Sequence, residues 1–402
     1  MFNLFFIIAK CALIYLSFKF ATWILKPYLT RSPFRSIPGP PSASWITGNL
    51  GQLFTSHGLP FHNHIVNHYG GVVKVHGFFG DEQLYISDPQ ALQSIVVKDQ
   101  DAFEETAVFT ETNKVIFGPG LVATTGDQHK RQRKIVKPVF SVPHLRKLTT
   151  LIYSIADKLA DVLSHEVNSN QTNAHEAVLD MSEWVSRVAL ETVGQAVLGY
   201  SFDPLDSRQS NPYTSAVKEL IPTLFSLSLI RQFAPFLSRL GSPAFRRRLV
   251  ELTPIKAVQK VKNMSDVMYH TARGILQQKR EALLNKGSDQ DSDTKDLITE
   301  LLRANEHLPS TNKLTDSELI GQMTVLIFGA QDTTASALSR LLFMLAAHPD
   351  VQRQLKAELE TARGYRYDER LGYDELMELP WLDAVIKETL RLYPPVPFVR
   401  RT

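Results

Sequence analysis

The stretch TDSELIGQMTVLIFGAQDTTASALSRLLFMLAAHP, residues 315–349, decides the fold of this chain. Thr315 and Glu318, three residues later, form the sequence pattern of a capping box, and His348 with Pro349 ends the helix. At a rise of about 1.5 Å per residue, the helix between these signals would be roughly 50 Å long. We therefore expect one long helix that crosses a whole domain.

The first half of this helix is apolar on nearly every side, which is typical of a buried helix. The apolar run is too short to span a bilayer before Gln331 and Asp332 interrupt it. A carboxylate and two hydroxyls inside a buried helix cost free energy unless something uses them. Two interpretations of Asp332, Thr333 and Thr334 stay open: hydrogen bonding to neighbouring backbone, or membership of a functional site.

Composition sets broad limits on the class of protein. The 402 residues are 44% hydrophobic and 21% charged, which predicts a globular protein with one large or two ordinary domains. The net charge of +3 is small and argues against nucleic acid as the main partner. The single cysteine, Cys11, excludes an intramolecular disulfide and favours a reducing compartment.

The N-terminus is strongly apolar and is followed by basic residues, which indicates a membrane anchor with its positive flank in the cytosol. Lys10 and Lys19 fall on opposite helix faces, which favours a tilted span over a helix lying on the membrane surface. We expect residues 1–25 to form the anchor, 26–41 a basic and proline-rich linker, and 42–402 the folded domain.

The rest of the pattern is mainly helical. Two short strands are predicted at Val72–His76 and Gln83–Ile86, so the expected fold class is mainly α with a small β-sheet. The segment Leu224–Phe245 is unusually apolar and is broken by Pro235 and Pro243. A second membrane contact and a buried connection explain this segment equally well.

A basic segment runs from Gly126 to Ser141. His129 and Arg133 are four residues apart and share a helix face, where they could receive an anionic group. A solvated basic face and a docking surface for an acidic protein are the other interpretations.

Together these features resemble the cytochrome P450 family, the heme-thiolate monooxygenases, from Ser36 to Thr402. The resemblance is closest to microsomal fungal members and implies a cytochrome P450 fold on the cytosolic face of the endoplasmic reticulum. It rests on the proline-rich hinge after an anchor, on the helix with His129 and Arg133, and on the segments 329–334, 387–391 and 393–397.

The resemblance implies a role for each matching residue. Asp332 and Thr333 match the acid and alcohol pair that delivers protons during dioxygen activation. Glu388 and Arg391 match a buried structural ion pair. Residues matching contacts to heme b and its propionates are His129, Arg133, Ala330 and Arg401. The residues expected to line the substrate pocket are Gly329, Val396, Pro397 and Phe398.

The family holds its iron through a cysteine in a loop after the last helix seen here, and that loop is absent before Thr402. Cys11 cannot take its place, so no metal ligand is predicted, and we expect residues 42–402 to be a C-terminally incomplete heme-monooxygenase domain. The thiolate is the group that favours O–O cleavage in the family.

The implied function is oxygenation of a lipophilic small molecule, such as a terpenoid or another secondary metabolite. Its electrons would come from a flavoprotein of the NADPH-cytochrome reductase type that docks near the basic helix. A non-catalytic truncated product of such an enzyme is the main alternative, and a lipid-binding helical protein without heme is a third.

Overall fold

The computed structural model describes residues 17, 22, 32–55, 57–169, 178–203, 205, 212–285, 296–307, 309, 313–365 and 370–402. The predicted anchor, apart from two isolated positions, and the first residues of the predicted linker lie outside the described residues. Within the described part, we find no helix with the length and hydropathy needed to cross a bilayer. The chain divides into two compact units, Met1–Glu104 and Glu105–Thr402.

The first unit contains the small sheet. Strands β1 (Val72–His76) and β2 (Glu82–Ile86) are antiparallel, with Val72 opposite Ile86 and His76 opposite Glu82. The proline-rich segment lies along β1, because the amide of Lys74 donates to the carbonyl of Pro38 at 2.9 Å. The helices of this unit are α1 (Leu50–Leu53), α2 (Leu59–Tyr69) and α3 (Pro89–Gln93), the last followed by a π-helical turn at Ser94–Lys98.

The second unit is helical over most of its described length. Its helices are α4 (Ala107–Phe117), α5 (Gly126–Val136), α6 (Val142–Ser169), α7 (Met181–Val193), α8 (Pro212–Ser226), α9 (Ser228–Arg231), α10 (Ala234–Leu237), α11 (Pro243–Leu252), α12 (Lys256–Asn285), α13 (Leu297–His307), α14 (Asp316–Ala347), α15 (Pro349–Arg363), α16 (Tyr373–Met377) and α17 (Pro380–Leu392). This mainly helical architecture with one small sheet confirms the predicted fold class.

Helix α14 is the long helix that the sequence predicts, and the other helices of the unit pack along it. Thr315 and Glu318 form the expected capping box, and the helix ends at His348. The first half is buried, with Met323 and Ile327 fully enclosed in a core shared with α4, α8, α12 and α13. The second half packs closely on α7 but is only partly covered.

One backbone contact fixes where α14 meets the loop after α4. A Cβ atom added to Gly321 would lie 2.7 Å from the amide nitrogen of Gly120, which is closer than real Cβ contacts allow. The loop backbone therefore touches the helix backbone directly, and a side chain at Gly321 would separate them.

Glu318 also joins α14 to α5. Its buried carboxylate accepts hydrogen bonds from Gln128 at 3.2 Å and Gln132 at 3.1 Å, and it pairs with Arg131. Gln322, one turn further along α14, donates to the side-chain oxygen of Gln132 at 2.7 Å. We call these five side chains the Glu318 cluster. It fixes both the rotation and the axial position of α5 against α14.

The environment of Glu318 shifts its pKa. Burial alone would raise the pKa of this carboxyl, but hydrogen bonds from Thr315, Gln128 and Gln132 outweigh burial and hold it below its usual range. Ionised Glu318 therefore stabilises the fold.

A second buried ion pair fixes the chain after α7. The Arg187 guanidinium donates to Asp203 through Nε at 2.7 Å and Nη2 at 2.8 Å, and the two side chains are 1% and 2% exposed. The Arg187 guanidinium also lies 4.5 Å from the centre of the Trp184 ring. Each charge is desolvated and is compensated mainly by the other, so removing one partner leaves an uncompensated buried charge.

We predict that Asp203→Asn lowers the free energy of unfolding by about 3 to 5 kcal/mol, the usual cost of breaking a buried pair. Urea denaturation followed by circular dichroism measures this loss. Asp374→Asn is the matched control, because Arg146 and Asp374 form the same two-bond pair at 2.8 Å on the surface. Equal losses in the two variants would contradict the prediction.

We also predict a pH dependence that comes from Glu318. Its stabilisation is complete above the ordinary glutamate pKa of about 4.3 and is lost as pH falls through the lower folded value. Glu318→Gln should therefore be less stable at neutral pH and should lose less of its remaining stability between about pH 5 and pH 3. Urea midpoints across this range test the difference, with Glu360→Gln, on the exposed face of α15, as the control. Parallel pH profiles for wild type and Glu318→Gln would show that Glu318 is not the group responsible.

Candidate active site

The middle of α14 has an open side. Gly329 is exposed, and a Cβ atom added to it would meet no atom within 4 Å. Ala330 and Thr333, three residues apart, lie half-buried on neighbouring turns of the same side. The Thr333 hydroxyl donates to the carbonyl of Gly329 at 2.6 Å. This hydrogen bond is the local backbone contact that the sequence left open as one interpretation, and it directs the hydroxyl toward the glycine.

The Asp332 side chain is rotated by about 100° from that of Thr333, although it leaves the helix only about 60° from Gly329, three residues earlier. Its carboxyl lies in a cleft of about 490 Å³ between α14, α7 and α8. The other lining residues are mostly polar: Ser182, Ser186, Lys218, Ala335, Ser336, Ser339, Arg340 and Phe343. The predicted acid and alcohol are therefore neighbours in sequence, but their side chains lie in different surroundings.

The cleft changes the acidity of Asp332. Burial raises the pKa of this carboxyl above its usual range. An aspartic acid with a raised pKa keeps its proton at a higher pH, as a proton donor requires. The hydroxyls of Ser336 and Ser339, on the following turn of the same helix, give water and protons polar partners in the cleft.

Sequence reasoning missed the side chains that build this cleft from outside α14. Ser182 and Ser186 come from α7 and Lys218 comes from α8, far from Asp332 in sequence. Serine and lysine are common on helix surfaces, so no local pattern marked them. Spacing along α14 did contain a signal, since Ser336 and Ser339 follow Asp332 by four and seven residues and share its face.

His129 and Arg133 lie on α5 as the sequence predicts. Each follows a glutamine of the Glu318 cluster by one residue, so the cluster also fixes the direction in which they leave α5. His129 is half-buried and Arg133 is exposed. Helix α5 is attached at Gln322, about 10 Å along α14 from Gly329 at the usual rise per residue.

The remaining predicted residues lie at the C-terminal end of the described chain. Arg401 forms a 2.5 Å ion pair with Glu105, and the two residues also make an isolated β-bridge. Val396 and Pro397 are exposed and Phe398 is half-buried. The Arg401 guanidinium therefore already has a carboxylate partner, which a second anion would have to share.

The ion pair between Glu388 and Arg391 forms, but the expectation that it is buried is wrong. Arg391 donates to both carboxylate oxygens at 2.7 Å, while the two side chains are 59% and 66% exposed. The physical reason is the orientation of α17, which buries Thr389 and turns the face with Glu388 toward solvent. Exposed pairs of this kind contribute little to stability.

The described residues fit the edges of a heme group but do not supply its iron ligand. Gly329 and Ala330 leave open space beside α14, and the Arg133 guanidinium and the His129 imidazole provide N–H donors suited to propionates. The described ranges contain no cysteine and no cluster of three or more His, Cys, Asp or Glu side chains placed to hold a metal ion. The fit is therefore to the periphery of the heme.

Comparison with known proteins assigns the chain to a family. The Cytochrome P450 family model matches residues 38–402. Cytochrome P450 monooxygenases 91 and 212 of Postia placenta are each 40% identical to the chain, covering 94% and 95% of it and 70% of each relative. Ganoderic acid synthetase CYP5150L8 of Ganoderma lucidum is 38% identical, covering 93% of the chain and 68% of that protein. The family model covers most of the chain, and the chain therefore belongs to the cytochrome P450 family, the heme-dependent monooxygenases.

Proposed function

We propose that this protein is a membrane-associated monooxygenase that inserts oxygen into a lipophilic small molecule. The observation that carries the proposal is the middle of α14, where an open side with Thr333 adjoins a polar cleft holding a carboxyl of raised pKa. The similarity to a protein named ganoderic acid synthetase supports a secondary metabolite, such as a terpenoid, as the substrate.

Heme is the cofactor of this family and, when bound, supplies the activation of dioxygen. The residues of this chain would hold its periphery: His129, Arg133 and Arg401 carry groups that can neutralise the propionates, and Ala330 and Gly329 leave room for a flat ring. Val396, Pro397 and Phe398 offer apolar surface for the substrate beside it.

Proton delivery is assigned to Asp332 and Thr333. The Asp332 carboxyl takes up a proton from water in the polar cleft, and burial, which raises its pKa above the usual range, favours this uptake. Thr333, the next residue, can pass a proton to the open side of the helix while its oxygen stays near the Gly329 carbonyl. Because the two side chains point about 100° apart, a rotation of Asp332 or a bridging water must connect them.

The exposed segment α9 to α11 supports membrane association. The start of the segment Leu224–Phe245 is buried at Leu224 and Leu227, whereas Phe233, Phe236 and Phe245 are 50%, 64% and 52% exposed. Several large apolar side chains exposed within one short segment are unusual for a surface that faces only water. We propose that this segment contacts the cytosolic face of the endoplasmic reticulum together with the predicted anchor at residues 1–25.

The basic side of α5 supports a flavoprotein of the NADPH-cytochrome reductase type as the electron donor. Arg133, Lys134 and Lys137 are exposed on this helix and the turn after it. Clustered cations of this kind favour association with an acidic protein surface. The same helix is fixed to α14 by the Glu318 cluster, which links the proposed docking surface to the proposed site.

We predict that Asp332→Asn in the heme-loaded full-length protein slows product formation by about 10²- to 10⁴-fold, the usual contribution of a positioned proton donor. Heme content should be unchanged, because asparagine is nearly the same size as aspartate and the Asp332 side chain lies in the cleft with α7 and α8. Single-turnover product analysis and heme quantification measure the two effects. Phe343→Leu, which changes an apolar side chain in the same cleft, is the control for altered packing and should turn over normally. Normal turnover in Asp332→Asn would refute the assignment.

We predict that Phe236→Asp with Phe245→Asp reduces binding of a protein lacking residues 1–31 to phospholipid vesicles. Burying a Phe side chain contributes about 1.5 to 3 kcal/mol, so loss of both should lower the bound fraction strongly. Vesicle flotation measures that fraction. Met377→Asp with Leu284→Asp introduces the same two charges at positions that are 63% and 82% exposed, on α16 and α12, and should leave binding intact. A bound fraction that is equal in all three proteins would exclude this segment as the contact.

A further inference from the structure

Helix α2 carries two histidines on one exposed face. His64 and His68 are four residues apart, and both side chains are exposed. Their rings are stacked, with centroids 5.3 Å apart and planes inclined by only 13°. Residues spaced by four lie one above the other on a helix, so the backbone of α2 holds the two imidazoles side by side.

The neighbouring His62 shows what a structural histidine looks like in the same helix. It is buried, and its ring nitrogens contact the Tyr85 hydroxyl at 3.0 Å and the Leu53 carbonyl at 3.1 Å. Within the described part of the chain, His64 and His68 contact aromatic rings but make no hydrogen bond or ion pair. Their ring nitrogens are therefore available to a ligand.

We propose that His64 and His68 form a two-histidine site for a divalent transition metal ion such as Zn²⁺. Neutral imidazole is a preferred ligand of Zn²⁺, Cu²⁺ and Ni²⁺, with Zn–N distances of about 2.0 to 2.1 Å. In the stacked arrangement the nitrogen lone pairs lie in the two ring planes, so both exposed side chains must rotate about their torsion angles to direct one nitrogen each at a shared ion. The described residues include no cluster of three or more suitable ligands, so water completes the coordination and the metal is exchangeable.

The Tyr69 ring packs against both histidine rings at one side of the proposed site. Its ring packs at 82° to that of His68, with centroids 4.7 Å apart, and at 89° to that of His64, at 6.1 Å. Rotation of the imidazoles toward an ion exchanges these ring contacts for bonds between the metal and the ring nitrogens. A bound ion links two turns of α2 and stabilises the folded state of the first unit by mass action.

Zinc titration of the full chain by calorimetry at pH 7.5 tests the site. His64→Ala and His68→Ala should each weaken binding by about tenfold or more, since even the loss of groups that only support metal ligands costs about 10- to 100-fold. Zn²⁺ should raise the unfolding temperature of the wild type but not of either variant. Cu²⁺ used as a probe should show two imidazole nitrogens by electron paramagnetic resonance.

Two controls separate chelation from general histidine binding. His307→Ala removes a single exposed histidine at the end of α13 and should leave the affinity unchanged. Asn63→His combined with His64→Asn keeps the number of histidines but places the two exposed ones five residues apart, about 140° around the helix. This exchange should abolish high-affinity zinc binding. Circular dichroism checks that each variant folds. Wild-type affinity in this exchanged variant, or in His64→Ala with His68→Ala, would overturn the proposal.

Discussion

The buried carboxylate of Glu318 organises the second unit. It caps the first turn of α14, accepts hydrogen bonds from two glutamines of α5 and pairs with Arg131. A buried carboxylate stays ionised only when such donors replace the water it has lost. Because each donor comes from a defined position, the same requirement fixes where α5 lies, and with it the directions of His129 and Arg133. The hydrogen bonds that keep Glu318 ionised therefore also determine where the proposed heme contacts of α5 lie.

The helical repeat of α14 then gives Asp332 and Thr333 different surroundings. Asp332 and Thr333 are neighbours in sequence, yet the rotation of about 100° per residue places the first in a polar cleft and directs the second toward the open space beside Gly329. In the proposed reaction, this separation gives the carboxyl a polar cleft that is distinct from the side where Gly329 leaves open space.

Much of this arrangement could be predicted because its signals are local. The capping box at Thr315, the proline after His348 and the apolar run between them lie within one stretch, and α14 begins and ends where they indicate. The signals for the strands Val72–His76 and Glu82–Ile86 are equally local. Alternating side chains and the turn between the strands were sufficient to predict the pair. The family resemblance added the identity of Asp332 and Thr333, which the pattern alone left undecided.

The rest depends on contacts between distant parts of the chain. Gln132 meets Gln322 across 190 positions, and the cleft takes Lys218 from another helix, so no window of sequence contains either contact. The exposure of Glu388 and Arg391 was misjudged for a related reason: their spacing predicts that they pair, whereas burial depends on which other elements cover α17.

The two halves of α14 illustrate a division between stability and function. Around Gly321, backbone touches backbone and Glu318 satisfies several donors, so this half tolerates little change. Around Gly329 the space beside the helix is open, and Asp332 is held by burial without strong partners, which leaves its pKa raised. Filling that open side would increase packing but remove the room that the proposed chemistry needs. The open second half contributes less to the stability of the fold. The well-packed first half can offset this loss, because both halves belong to one continuous helix.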